Sequence, residues 1–204
     1  MRLAFRLAMV VLAALPLSAN STLRVDFAQL SRMADRVVAG RITKITPAQD
    51  PRNGNIYSTV TIAVSQAVPA QLAGREFSFR MIGGELNGRI QYIADYPKLR
   101  LGNDVALFLQ ADTSGVFGPT IGLGQGVFYL ESGALDTVQR VADRFGRPVL
   151  GIRDNRLIRG IRRQSDAAGA ALATPGKGRP AMALGEFFDQ VRSLRALPTV
   201  AGPR

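Results

Sequence analysis

The 204-residue chain contains no cysteine, no histidine and no tryptophan. Without cysteine no disulfide can staple the fold, so buried apolar surface has to hold it together. Without histidine the chain lacks the side chain that ordinarily changes charge between pH 5 and 8, and the commonest metal ligand. Zinc, haem and iron–sulfur sites therefore lose their ordinary donors, and no metal or cofactor is expected. Serine–histidine and cysteine–histidine nucleophile pairs are excluded outright. Carboxylates, tyrosines and lysines are left for catalysis, and lysine itself is scarce: Lys44, Lys98 and Lys177 are the only three.

What is present begins with MRLAFRLAMVVLAALPLSA, residues 1–19. Two arginines precede an apolar stretch from Leu7 to Leu15, then Pro16 and the small residues Ser18 and Ala19. That order is the pattern of a secretory signal peptide, cleaved after Ala19 or after Ser21. The apolar core falls short of the ~20 residues that span a bilayer as a helix. The expectation is a soluble chain, periplasmic or secreted. Removing Arg2 and Arg6 with the leader takes the formal charge from +11 to +9. Such a balance favours acidic partners and solubility.

Along the rest of the chain, residues 22–35 place Phe27, Leu30, Met33 and Ala34 at helical spacing behind a candidate N-cap, Asp26. RVVAGRITKI (36–45) is rich in β-branched residues and predicts a strand. TPAQDPRNGN (46–55) predicts a loop. From Tyr57 to Val68 the chain alternates, with Val60, Ile62 and Val64 on one face and Thr59 and Thr61 on the other. REFSFRMI, RIQYI, the run Val105 to Leu109 and GPTIGLGQGVFYLE predict further strands. PVLGI and RLIRGI flank Asp154-Asn155 as a minor hairpin. Residues 164–183, poor in large apolar side chains, read as a flexible tether. Residues 184–197 then set Leu184, Phe187, Phe188, Val191 and Leu194 on one stripe, an amphipathic helix. Docking on the domain is the expected use of that stripe, and packing on a partner the alternative.

Four features compete for function. FRMIGGELNGRI (79–90) carries Gly83, Gly84, Asn87 and Gly88, residues that tolerate positive φ in tight turns. A phosphate cradle would need the loop to open a helix, and RIQYI reads as extended, so a structural turn is expected. GLGQG (122–126) mimics a dinucleotide fingerprint without the strand–helix context it requires. Glu85, Asp95 and Glu131 are the acids near the glycine-rich and aromatic segments and could serve a carboxylate-dependent hydrolase. Last, Arg140, Arg144, Arg147, Arg153, Arg156, Arg159, Arg162 and Arg163 crowd a stretch holding only two acids, Asp143 and Asp154. Arginine's planar fork suits phosphate and carboxylate groups. Arg153, Arg156, Arg159, Arg162 and Arg163 are the candidate polyanion-binding residues.

The succession ADRVVAGRITKI, IYSTVTIAVSQAV, GREFSFRMIGG, LGNDVALFL and GLGQGVFYL resembles that of a family of exported bacterial proteins of uncharacterised activity. In strand order it is also similar to the netrin-like, OB-type module of tissue inhibitors of metalloproteinases. Those inhibitors chelate the protease metal through an N-terminal cysteine, and this chain has none, so no functional residue carries across. The short alternating strands suggest a small antiparallel β-barrel or sandwich. With the resemblance, the expectation is an OB/netrin-like β-barrel over 22–163 with a peripheral hairpin, a short N-terminal helix and a C-terminal amphipathic helix. The function expected is non-enzymatic binding: a protein partner, an exported protease among the candidates, met through barrel loops. The alternatives are an acidic polymer on the 140–163 arginines, whether glycan, lipid head groups or nucleic acid, and the carboxylate hydrolase.

Overall fold

The computed structural model describes residues 24–111, 118–132, 137–161 and 180–196. The expected leader, Arg162, Arg163 and most of the 164–183 tether lie outside the described residues. The fold is mainly β, with two helices and antiparallel sheets.

Helix α1 (Phe27–Met33) begins at Asp26, whose carboxylate accepts the Gln29 amide N–H at 2.7 Å. The Gln29 side chain accepts the Asp26 amide N–H at 3.1 Å in return, so two otherwise orphaned donors are satisfied. Strand β1 (Arg36–Gln49) pairs along its length with β2 (Ile56–Val68), and only over Arg36–Arg41 with β6 (Asp104–Leu109). It runs four residues past the expected end and takes in Pro47 of the expected 46–55 loop. Beyond Arg41 the strand has a ladder on one side only, where a proline's missing N–H costs no ladder bond. Strand β3 (Glu76–Ile82) continues the sheet beyond β2. The glycine-rich stretch 79–90 becomes, after β3, a separate hairpin, β4 (Gly84–Leu86) and β5 (Arg89–Gln91), with Asn87 and Gly88 both at positive φ in its turn. Residues 121–126, expected as strand, form a turn closed by the Gly126 N–H on the Ile121 carbonyl at 3.0 Å. Strand β7 (Val127–Ser132) follows on β6, β8 (Gln139–Asp143) on β7, and β9 (Val149–Arg153) pairs with β10 (Arg156–Arg159) as a hairpin.

The six-stranded order is β3-β2-β1-β6-β7-β8. Among the described residues no ladder joins its two edges, so a closed barrel is not found. The sheet is nevertheless strongly curled. Thr120 bridges to Leu109 at the end of β6, while a Cβ on Gly118 would lie 2.8 Å from the Arg80 carbonyl oxygen of β3. Two residues reach at most ~7 Å, whereas β3 and β6 would stand about 14 Å apart in a flat sheet. Curling brings them together.

Both faces of the sheet are buried, by alternation. Val38, Ile42, Val105, Leu107 and Val127 join Val60, Ile62, Phe79 and Met81 in the concave interior. Val37, Ala39, Ala106, Phe108, Phe128 and Leu130 face outward and are covered by α1 and by α2 (Leu184–Ala196). Phe187 sits at the centre of that layer, with its ring 5.2 Å from Phe27, 6.0 Å from Phe108 and 5.1 Å from Phe128. Helix α2 is thus docked on the domain. The last residues of the expected tether are pinned too: Met182 is buried, donates to the Val149 carbonyl and accepts from the Val141 N–H. Among the described residues no helix is long and apolar enough to cross a membrane.

Phe187→Ala should cost about 3–5 kcal/mol, the loss expected for a fully buried aromatic ring, with a lowered urea midpoint. An unchanged midpoint would mean that α2 does not hold the sheet. Gly40→Ala should cost about 1–3 kcal/mol, because its Cβ would lie 2.0 Å from the Ala63 carbonyl oxygen.

Candidate functional site

Residues 92–103, between β5 and β6, lie across the concave interior. Tyr96 is buried in it, with its hydroxyl accepting from the Thr120 hydroxyl at 3.3 Å. Burial raises the Tyr96 pKa and the Thr120 bond pulls it partly back. The Lys98 carbonyl accepts the Tyr129 hydroxyl at 3.1 Å, and the Asn103 side chain accepts the Arg100 N–H at 3.0 Å. These bonds fix the main chain on either side of two cations.

The opposite wall is the turn after β8, organised by Asp143. This carboxylate is buried, with 4% of the residue exposed. One oxygen accepts the Phe145 and Arg147 amide N–H groups at 2.9 and 3.0 Å. The other lies 2.7 Å from the Arg147 guanidinium and 2.9 Å from that of Arg159. Burial pushes its pKa up, but the guanidinium and amide donors outweigh burial and hold it below the usual value. Arg144 is anchored separately, donating to the Asp95 carbonyl at 3.0 Å with its other nitrogen 3.5 Å from the Asp95 carboxylate.

Between these walls lies an open basin of about 520 Å³, with Tyr96 at its base and Lys98, Arg100, Tyr129, Arg144 and Phe145 around it. Three cations face one acid, Asp95. The Lys98 ammonium lies 4.5 Å from the Tyr92 ring centre, and Arg144 and Arg147 lie 4.5 and 5.1 Å from that of Phe145. Such contacts hold long cationic side chains in place at an exposed surface. Among the described residues neither Lys98 nor Arg100 has a carboxylate partner. Burial raises the Tyr129 pKa, and the Arg100 charge opposes the rise.

The arginine-rich segment does not form one patch. Arg140 reaches back to the Ala181 carbonyl, Arg147 and Arg159 share Asp143, and Arg144 turns to the basin. Arg153 and Arg156 face each other in register, exposed at the tip of the β9–β10 hairpin. Glu85 sits on the β4–β5 hairpin, Asp95 in the basin loop and Glu131 near the end of β7 opposite Arg140. Among the described residues no group of three metal-ligating side chains occurs. A second buried acid, Asp50, is held well below the ordinary carboxylate range by bonds from Arg52 and then Arg80. It ties the β1–β2 loop to β3.

The residues that sequence reasoning passed over are Tyr92, Lys98, Arg100 and Tyr129. The signal was legible in YIADYPKLR, where two tyrosines, a lysine and an arginine interleave within nine residues. Comparison of the chain with family models, curated proteins and solved structures finds no match.

Asp143→Asn should destabilise the protein by about 1–3 kcal/mol at pH 7, by weakening a buried, fully bonded acceptor. The folded pKa lies below the unfolded one, so the stability it confers is complete above the ordinary carboxylate value near ~4 and lost as pH falls through the folded value. Denaturant midpoints of the two proteins should therefore converge below about pH 4. A gap that stays constant to pH 2.5 would overturn this assignment.

Proposed function

We propose that the protein is an exported, non-enzymatic binding protein that takes an anionic ligand in the basin over Tyr96. The observation carrying this reading is the pair Lys98 and Arg100, two cations without a carboxylate partner among the described residues, beside Arg144 at a concave surface whose backbone is fixed by hydrogen bonds. Cations held without counter-charges at a concave, partly apolar site raise the local concentration of anions and bind them through charge-assisted bonds. The strand order β3-β2-β1-β6-β7, with a long β1 shared by both halves and Gly118 seated against β3, supports a partly open barrel of OB type. In such a barrel the loops, rather than the strands, meet the ligand.

A second reading has a specific observation behind it. Leu101 is 68% exposed and Tyr92 57% exposed next to the basin cations, which gives that rim the apolar and aromatic content of a protein interface. In this reading a protein partner, an exported protease included, meets the same loop. The hydrolase alternative has the least support, because its three acids are spread over three separate elements.

The test is a titration with sulfate, phosphate and galacturonate followed by amide chemical shifts. Shifts should concentrate on residues 95–103, 129 and 144–146, and Lys98→Ser with Arg100→Ser should weaken binding about tenfold or more. Affinity should fall steeply with added salt. Undisturbed shifts at these residues, or a ligand that binds the double variant equally well, would overturn the proposal. Salt-independent capture of a protein at Leu101 and Tyr92 would favour the second reading.

A further inference from the structure

The basin does not end at Arg144. The Phe145 ring, 50% exposed, carries Arg144 at 4.5 Å and Arg147 at 5.1 Å from its centre. Arg147 and Arg159 then lie on the same oxygen of Asp143. Exposed Arg24 stands three residues before Phe27, whose N–H donates to the Asn155 carbonyl of the Arg159 hairpin at 2.9 Å, and the Arg24 charge acts on Arg159. Asp143 is one negative charge among three arginines, so this second group keeps an excess of about two positive charges. It is joined to the basin through a single exposed ring. Lys98 and Arg100 form one end, Arg144 and Arg147 the middle, and Arg159 and Arg24 the other end.

Two features decide what such a row suits. A single small anion fills the basin and leaves the far group uncompensated, whereas a chain carrying repeated negative charges engages both. The aromatic rings also have occupants: Lys98 lies on Tyr92 and two guanidiniums lie against Phe145. Proteins that bind single-stranded nucleic acid use free ring faces to stack bases. Here the rings support cations and present charge, which suits a polymer recognised by its anionic groups alone.

We infer that the basin is one end of a cationic track, running over Phe145 to Arg159 and Arg24, that binds a linear acidic polysaccharide. The inference rests on the basin reading and extends it from an anion to a chain. The hairpin-tip residues Arg153 and Arg156 lie outside the track. They stand on the hairpin face opposite to Leu157, which packs toward the helical layer.

The test uses galacturonate and oligogalacturonates of increasing length, with oligothymidylates of equal charge as the comparison. Affinity for oligogalacturonates should climb by about tenfold or more from the dimer to the length that fills the track and then level off, because added charges meet added cations. Arg24→Ser removes an exposed side chain that has no carboxylate partner among the described residues. It should lower affinity for the long oligomers about three- to tenfold and the logarithmic salt slope by about one, while leaving galacturonate binding unchanged. Arg153→Ser with Arg156→Ser should leave both unchanged.

Affinity that stays flat with length while galacturonate still binds at Lys98 and Arg100 would overturn the track and leave the basin reading standing. Tighter binding of oligothymidylate than of the equally charged oligogalacturonate would overturn the polysaccharide assignment. Loss of long-oligomer binding in the hairpin-tip variant, with Arg24→Ser silent, would overturn the route. No binding of any of these anions would remove the track and the basin reading together.

Discussion

Strand β1 can bend only because Gly40 has no side chain. A Cβ there would meet the Ala63 carbonyl oxygen at 2.0 Å, and the pairing with β2 shifts register immediately before Gly40 and again between Ile42 and Lys44. Bulges of this kind kink a strand and strengthen its twist. The first half of β1 can then serve both β2 and β6 while the second half serves β2 alone, and the sheet curls around Val38, Ile42 and their neighbours. Tyr96 plugs the interior this creates, and the basin rests on Tyr96. A flat β1 would leave the 92–103 segment without an interior to cover and the two walls of the basin without a common floor.

A chain with no disulfide has to find equivalent closure elsewhere, and it does so with aromatic packing on the other face. Phe27 from α1, Phe108 and Phe128 from the sheet, and Phe187 from α2 form one cluster of mostly edge-on and tilted rings. Such pairs contribute beyond their buried area. The cluster connects residues near both ends of the described chain, so the tether before α2 needs no structure of its own to bring that helix home. Arg195 adds a polar clasp at the end of α2, donating to the Ala34 carbonyl at 2.5 Å.

Much of this was legible from local pattern. Alternation along Tyr57–Val68 and the stripe Leu184–Leu194 record burial directly, since every second strand residue or every third to fourth helix residue faces the core. The capping pair Asp26 and Gln29 marks a helix start in sequence, although α1 proves shorter than its apolar spacing suggests. Pattern failed where long-range contacts decide. Pro47 belongs to a strand only because β6 stops short of it. The glycines at 122–126 leave the strand because Gly124 packs against the Asp95 carbonyl and Arg144, a meeting of three separated segments. The site was hidden for the same reason. Density of arginine in sequence pointed to 140–163, but Asp143 spends two of those arginines on holding a turn, and the cations without a carboxylate partner among the described residues include Lys98 and Arg100, from a loop forty residues earlier.

The composition also constrains how such a surface can be regulated. A chain without histidine has no side chain whose ordinary pKa puts a charge change between pH 5 and 8. The acid that organises the basin wall, Asp143, is held in its charged form further still from neutrality by its arginines. The carboxylate that holds the wall therefore keeps its charge between pH 5 and 8. Ionic strength is the remaining control, because exposed charges separated by a Debye length, about 8 Å at physiological salt, are largely screened from one another. Anion binding at a surface built this way would weaken as the electrolyte grows more concentrated and change little between pH 5 and 8.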